Sequence, residues 1–253
     1  MWGNPSSSNY FDNNVANSLT LLRAMLDCNV GHLVFSSTCA TYGIPSTLPI
    51  TEFTPQVPVN PYGDTKLMVE RILKWYGDAY GLRSVCLRYF NAAGADPEGE
   101  IGEQHNPETH LAPSIIEAAL GLRKYFELYG TDYPTPDGTA IRDYIHVSDL
   151  ASAHVLALRY LFAGGKSNAF NLGTGRGCSI YDVIRAVERA SGMRVRTFVQ
   201  PRRPGDPPQL VASAAKAHGE LGWRPQFSDL DHIVSTAWNW HSRPALQATA
   251  AAV

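Results

Sequence analysis

Asn60-Pro61-Tyr62-Gly63-Asp64-Thr65-Lys66 is the stretch on which the rest of the chain depends. Asn60 is a strong helix N-cap, and Pro61 suits the first helical position, where its missing N–H costs nothing. A helix that starts here places Tyr62 and Lys66 one turn apart on one face. Val69, Leu73 and Tyr76 continue that face at helical spacing, so it points inward. A phenol beside a half-buried ammonium is a poised acid/base, because the cation favours phenolate and lowers the tyrosine pKa. The same spacing also arises in an ordinary helix with a tyrosine packed along a lysine stem. The pair needs its context to carry an argument.

The context lies on both sides. His32-Leu33-Val34-Phe35 is a short apolar run that reads as a strand buried in a parallel sheet, and three hydroxyl residues, Ser36-Ser37-Thr38, end it. Before it, Val15, Leu19, Leu22 and Leu26 mark an amphipathic helix that runs to about Cys28 and ends at Asn29-Val30-Gly31. A proline-rich loop (Pro45, Pro49, Pro55, Pro58) leads into the Tyr62 helix, which stops at Gly81, and a second buried strand spans Val85 to Phe90. This β-α-β order implies a parallel crossover. After Asn91, Gly94 to Thr109 is a long loop rich in glycine, proline and acids, and loops of that length in a compact domain are usually functional. The remainder mixes helices (111–124, 147–161, 179–191) with short strands (126–129, 169–172, 194–199). Residues 1–9 read as frayed and residues 244–253, rich in alanine, as a disordered tail.

These segments carry a resemblance. Phe35-Ser36-Ser37-Thr38, Asn60 to Lys66, Leu87-Arg88-Tyr89-Phe90-Asn91, Ile141 to His146, Asn171-Leu172-Gly173-Thr174-Gly175 and Pro201 to Asp206 resemble, in this order, the extended branch of the short-chain dehydrogenase/reductases. Within that branch the match is to the UDP-hexose 4-epimerases. The resemblance implies an α/β fold with a Rossmann-like parallel sheet and a smaller substrate-binding lobe. Residues 1–92 would be the remaining part of the dinucleotide domain, and 93–243 mainly the sugar-nucleotide lobe, with some segments returning to the sheet.

It also implies a reaction: NAD-dependent epimerisation at C4 of UDP-glucose or UDP-galactose, by hydride transfer through a 4-keto sugar. Thr38, Tyr62 and Lys66 take the catalytic positions, and Asn13 and Phe90 join them on the cofactor side, although Phe90 reads equally as a core aromatic. Arg142 and Arg203 would grip the diphosphate, Asp206 the ribose hydroxyls, and Asn91, His110 and Leu111 the uridine side, with Tyr129 facing the uracil. Arg142 reads equally as the partner of Asp143 or another acid. Leu210 stands where some relatives place a bulky tyrosine against the sugar C2 substituent. Related 4,6-dehydratases carry Asp-Glu after the strand-end threonine; here Cys39-Ala40 stand there and cannot eliminate water.

The family's glycine-rich β-α-β turn, where a pyrophosphate meets a helix N-terminus, has no counterpart near the start of this sequence. The glycine cluster Asn171 to Gly177 follows a strand and precedes a helix, but lacks the rest of the motif, and reads as a packing turn of the substrate lobe. The chain therefore resembles an epimerase without its N-terminal nucleotide half. It is expected to bind NAD weakly on its own, to show no turnover, and to pair along an exposed sheet edge. The reading that competes is an inactive remnant that binds UDP-sugars or serves as an interaction domain.

Composition narrows the classes. Net charge is −2 and the pI near 6.4, which favours neither nucleic acid nor an anionic membrane as a partner. Cys28, Cys39, Cys86 and Cys178 are far apart and read as reduced thiols of a cytoplasmic protein. No run of about 20 apolar residues is present. Glu103, His105, Glu108 and His110 match neither H-E-x-x-H nor a zinc-finger spacing, so no metal is expected. The full-length family implies a homodimer, and leaves the state of this chain open.

Overall fold

The computed structural model describes residues 7–243, so the outer six residues of the frayed N-terminal stretch and the alanine-rich tail lie outside the described residues. Residues 7–9, read as frayed, belong to a helical turn, α1 (Ser7–Tyr10). A π-helical segment, Phe11–Ala16, carries it into α2 (Asn17–Asp27), and Asn29, at φ 56°, takes the left-handed turn that ends this helix. β1 (His32–Thr38), α3 (Pro61–Tyr80) and β2 (Arg83–Tyr89) form the expected crossover unit. The Asn60 side chain accepts the Gly63 N–H at 2.6 Å, Pro61 opens the helix, and Gly81 closes it in the left-handed region at φ 71°.

The main sheet has the order β1-β2-β6, all parallel, with β6 (Asn168–Leu172) returning from the second half of the chain. α5 (Val147–Phe162) covers one face, where Leu150, Ala153, Ala157 and Leu161 meet Val85, Leu87, Phe170, Leu172 and the fully buried Trp223. α2 and α3 cover the other, with Leu22, Met25, Val69 and Leu73 against Leu82 and Cys86. The result is a three-layer α/β arrangement, and β2 is buried on both sides as its apolar run implies. β1 departs from that expectation. Its first five residues are only half-buried, because it stands at the edge of the sheet and pairs with β2 alone among the described residues.

The second half packs around β5 (Ile141–His146). β3 (Asn91–Ala93) and β9 (Gln209–Leu210) run parallel to it and β7 (Gly177–Ser179) antiparallel. α4 (Leu111–Ala119), α6 (Ile180–Ser191) and α7 (Leu230–His241) enclose this lobe's core, built on Ile115, Ile116, Val183, Val187, Ile233 and Tyr144. β4 (Phe126–Tyr129) pairs with β8 (Thr197–Gln200). Two boundaries move from their expected places. The helix from 111 stops at Ala119, before Gly121 turns left-handed at φ 74°, and the strand expected from 194 begins at Thr197.

Candidate active site

The two halves meet at the C-terminal ends of β1 and β2, where an open α/β sheet places its ligands. A cavity of about 890 Å3 lies there, lined by Thr38, Tyr62, Phe90, Asn91, His110, Leu111, Arg142 and Leu210 among others. A second, of about 910 Å3, shares Asn91, His110, Leu111, Arg142 and Tyr144 with the first and adds Tyr129, Arg203 and Asp206. Eleven of the thirteen expected site residues thus line one or both cavities; the exceptions are Lys66 and Asn13.

Thr38 is the last residue of β1, buried, and its hydroxyl accepts the Ala40 N–H at 3.1 Å and shares the cavity wall with the Tyr62 phenol. What brings Tyr62 so near is Gly63. A Cβ built at Gly63 would lie 2.4 Å from the Ala40 carbonyl oxygen, so only glycine lets the first turn of α3 rest on the 3-10 turn Cys39–Tyr42. Lys66 points under the site, donating to the Ser36 carbonyl at 3.0 Å, with its nitrogen 5.9 Å from the centre of the Tyr62 ring. This corrects the expectation of a lowered tyrosine pKa. Burial pushes the Tyr62 phenol up, the neighbouring Thr38 side chain only partly offsets it, and burial pushes Lys66 down. A tertiary desolvation outweighs the local spacing from which the lowering was inferred.

Asn13 is exposed in the π-helical segment and lines neither cavity; its neighbour Asn14 instead reaches the Thr65 hydroxyl at 2.9 Å. Phe90 is both things the sequence allowed, a buried core aromatic beside Tyr42 and Ile50 and part of the cavity wall. Arg142 pairs with Asp206, not with Asp143, so two residues assigned to separate parts of a ligand hold each other. The Arg203 guanidinium lies 3.9 Å above the Tyr129 ring. Leu210 is buried at the cavity edge against Cys39, Tyr42 and Phe90. The Cys39 thiol, after Thr38, is pushed up to about 12 by burial and stays protonated at neutral pH.

The glycine turn is explained by Asp143, which sequence reasoning passed over. This fully buried carboxylate accepts the backbone N–H groups of Thr174 (2.8 Å), Gly175 (3.0 Å) and Ala212 (3.1 Å), and the Thr174 hydroxyl at 2.7 Å. Burial pushes its acid up against the pull of those donors. The donors a phosphate would need are already satisfied, and a Cβ at Gly173 would stand 2.5 Å from the same carboxylate. A second buried group went unread: Arg88 pairs with Glu70 at 2.6 Å and donates to Tyr42 Oη at 2.9 Å, tying β2 to α3 below the triad. Tyr144, in the wall common to both cavities, has a buried hydroxyl without a hydrogen-bond partner.

Residues 1–173 match the model of the NAD dependent epimerase/dehydratase family. The chain belongs to that family. Among relatives within it, the UDP-glucose 4-epimerase of Lacticaseibacillus casei is 53% identical over 232 residues, covering 92% of this chain and 70% of the relative. That of Rhizobium meliloti is 55% identical, over 92% of this chain and 71% of the relative. The family's solved structures superpose closely. The UDP-glucose 4-epimerase of Brucella ovis in complex with NAD has a TM-score of 0.90 at 52% identity, covering 92% of this chain and 72% of the other. The Bifidobacterium longum enzyme, in complex with NAD+ and UDP, has a TM-score of 0.89 at 41% identity, covering 94% and 72%. The chain thus spans about 70% of the length of the curated relatives it matches.

For the dinucleotide, the residues present fit one end. Thr38, Tyr62 and Phe90 line the cavity, with Lys66 beneath, as the nicotinamide end requires, whereas the described glycine turn is closed by Asp143. No described helix is long and apolar enough to cross a membrane.

Proposed function

We propose that this chain carries the catalytic and sugar-nucleotide portion of a cytoplasmic NAD-dependent UDP-glucose 4-epimerase of galactose metabolism. The observation that carries the reading is the meeting of the Thr38 and Tyr62 side chains at the wall of the 890 Å3 cavity. When bound, NAD supplies the acceptor and donor of the C4 hydrogen. Tyr62 Oη takes the proton of the sugar 4-hydroxyl and returns it, and Thr38 shares that proton through its own hydroxyl. Burial holds the free phenol above its ordinary value, so acting as base requires that bound cofactor lower it. Lys66, half-buried and anchored on Ser36, offers its remaining donors to the cofactor ribose.

In the second cavity Arg203, stacked on Tyr129, and Arg142 present cationic donors to the diphosphate, and Asp206 is released from Arg142 to take ribose hydroxyls. Asn91, His110 and Leu111 line the uridine side. Asn13 is assigned to the cofactor side by the resemblance alone, and its neighbour Asn14 reaches Thr65 of α3. Residues 1–92 act as the dinucleotide-side unit and 93–243 mainly as the sugar-nucleotide lobe.

The test is turnover of UDP-galactose by the chain fused behind the glycine-turn half of a relative. Tyr62→Phe is expected to lose at least about 100-fold in kcat, the span of a general acid/base, while calorimetric UDP affinity changes less than about twofold. Loss of UDP binding in step with turnover would make Tyr62 structural. The remnant reading is separated by denaturing the purified protein and quantifying released NAD and NADH by mass spectrometry.

A further inference from the structure

The loop between β3 and α4 brings together four side chains whose composition is that of a metal centre. Glu103, His105, Glu108 and His110 each offer one ligand atom, all within 4.8 Å of one another. His105 Nδ1 lies 3.5 Å from Glu103 Oε2 and 3.6 Å from Glu108 Oε2, and His110 Nδ1 lies 2.7 Å from Glu103 Oε2 and 3.6 Å from Glu108 Oε1. Zinc bonds of about 2.0–2.2 Å set the edges of a tetrahedron at about 3.4 Å. With Glu108 Oε2 as the ligand atom, the two His105 contacts already have that size, and the His110–Glu103 contact has to open by less than an ångström.

Glu108 separates this cluster from an ordinary surface ion pair. Its side chain is 2% exposed. Oε1 accepts the N–H groups of Thr109 and His110, both at 2.7 Å, while Oε2 faces the His105 imidazole beyond hydrogen-bonding length. A buried carboxylate aimed at a second carboxylate's imidazole partners, with no lysine or arginine side chain bridging them among the described residues, is costly unless a cation joins it. The frame is also held from outside: Trp240 Nε1 donates to the Glu103 carbonyl at 2.9 Å, and Arg123 donates to the carbonyl of Glu108. Such outer contacts fix ligands before the ion arrives.

We propose that Glu103, His105, Glu108 and His110 bind one divalent cation of the zinc class, which clamps the 94–110 loop to the start of α4 at the cavity mouth. Two imidazoles and two carboxylates select zinc or cobalt over magnesium and calcium, which prefer oxygen alone. The site does not depend on the epimerase reading and uses none of the triad.

Cobalt is the probe, titrated into the untagged 253-residue chain and then displaced by zinc. One equivalent is expected to produce the visible absorption of tetrahedral cobalt without a thiolate charge-transfer band, and Kd for zinc is expected on the order of 1 μM or tighter. His105→Ala should weaken zinc by at least about 100-fold, the upper end of what even outer contacts cost, with an unchanged circular dichroism spectrum. Glu103→Gln gives the same reading should His105→Ala not fold. Cys28→Ser should leave the titration unchanged. Zinc should slow hydrogen exchange of the amides between Gly102 and His110. Absence of tetrahedral cobalt absorption, a thiolate band lost in Cys28→Ser, or undiminished binding in His105→Ala would each overturn the site.

Discussion

Replacing Asp143 by alanine tests whether the glycine turn is built for packing or for a nucleotide. The substitution strips three backbone N–H groups of their acceptor, that of Ala212 buried and those of Thr174 and Gly175 partly so. The buried Ala212 donor left unsatisfied costs about 1–3 kcal/mol, and the two that water can reach cost less. Relief from burying the carboxylate itself offsets part of the sum, leaving a loss of roughly 2–4 kcal/mol. With a urea slope of about 3 kcal/mol per molar, the upper end of the usual range, the unfolding midpoint should fall by about 1 M. Asp143→Asn keeps one acceptor oxygen and should lose about half as much. Hydrogen exchange gives the local readout: the Thr174, Gly175 and Ala212 amides should be protected in the parent and lose that protection before the rest of the sheet in Asp143→Ala. A midpoint within about 0.2 M of the parent, with those amides still protected, would refute the account and reopen the turn as an anion site.

Gly63→Ala should push the first turn of α3 off the Ala40 carbonyl, costing about 1–3 kcal/mol by overpacking and lowering kcat of the fused enzyme at least tenfold with UDP affinity unchanged; equal kcat would show that Tyr62 is placed by other contacts. Leu210→Tyr should cut the ratio of UDP-N-acetylglucosamine to UDP-glucose turnover by about tenfold or more, the scale of one pocket contact, and an unchanged ratio would remove Leu210 as the determinant. His146 is fully buried with its pKa pushed down by burial, Nδ1 accepting the Ser148 N–H and Nε2–H donating to Thr236. A depressed histidine contributes stability that is complete above the unfolded value near 6.5 and is lost as pH falls through it towards the folded value; the urea midpoint should therefore drop below about pH 6.5, and His146→Gln should flatten that drop.

Local chemistry made the crossover unit legible. Asn60, Pro61 and Gly81 mark the ends of α3 by capping alone, and the apolar runs of β1 and β2 follow from their place in a parallel sheet. The sugar-nucleotide residues named from the resemblance line the two cavities, whereas Asn13 and Lys66, named for the cofactor side, line neither. What stayed hidden depends on contacts between distant segments. The raised Tyr62 phenol is a product of burial, which spacing along a helix does not report. Asp143 looks like half of an Arg-Asp pair in sequence, yet alternation along β5 turns the two side chains to opposite faces, one to Asp206 and one to the glycine turn. The Glu103–His110 cluster escaped because an irregular loop, unlike a helix, imposes no recurring ligand spacing.

The order β1-β2-β6 also sets a sequence of events in folding. β1, α3 and β2 are joined by a connection of ordinary length and already hold Thr38, Tyr62 and Lys66 in one unit. β6 must close a much longer loop to reach β2, and β5 and β9 supply the far wall later still. Pulse-labelled hydrogen exchange should accordingly find α3 protected before β5. The chain is expected to assemble its proton-transfer group before it has anywhere to seat a sugar.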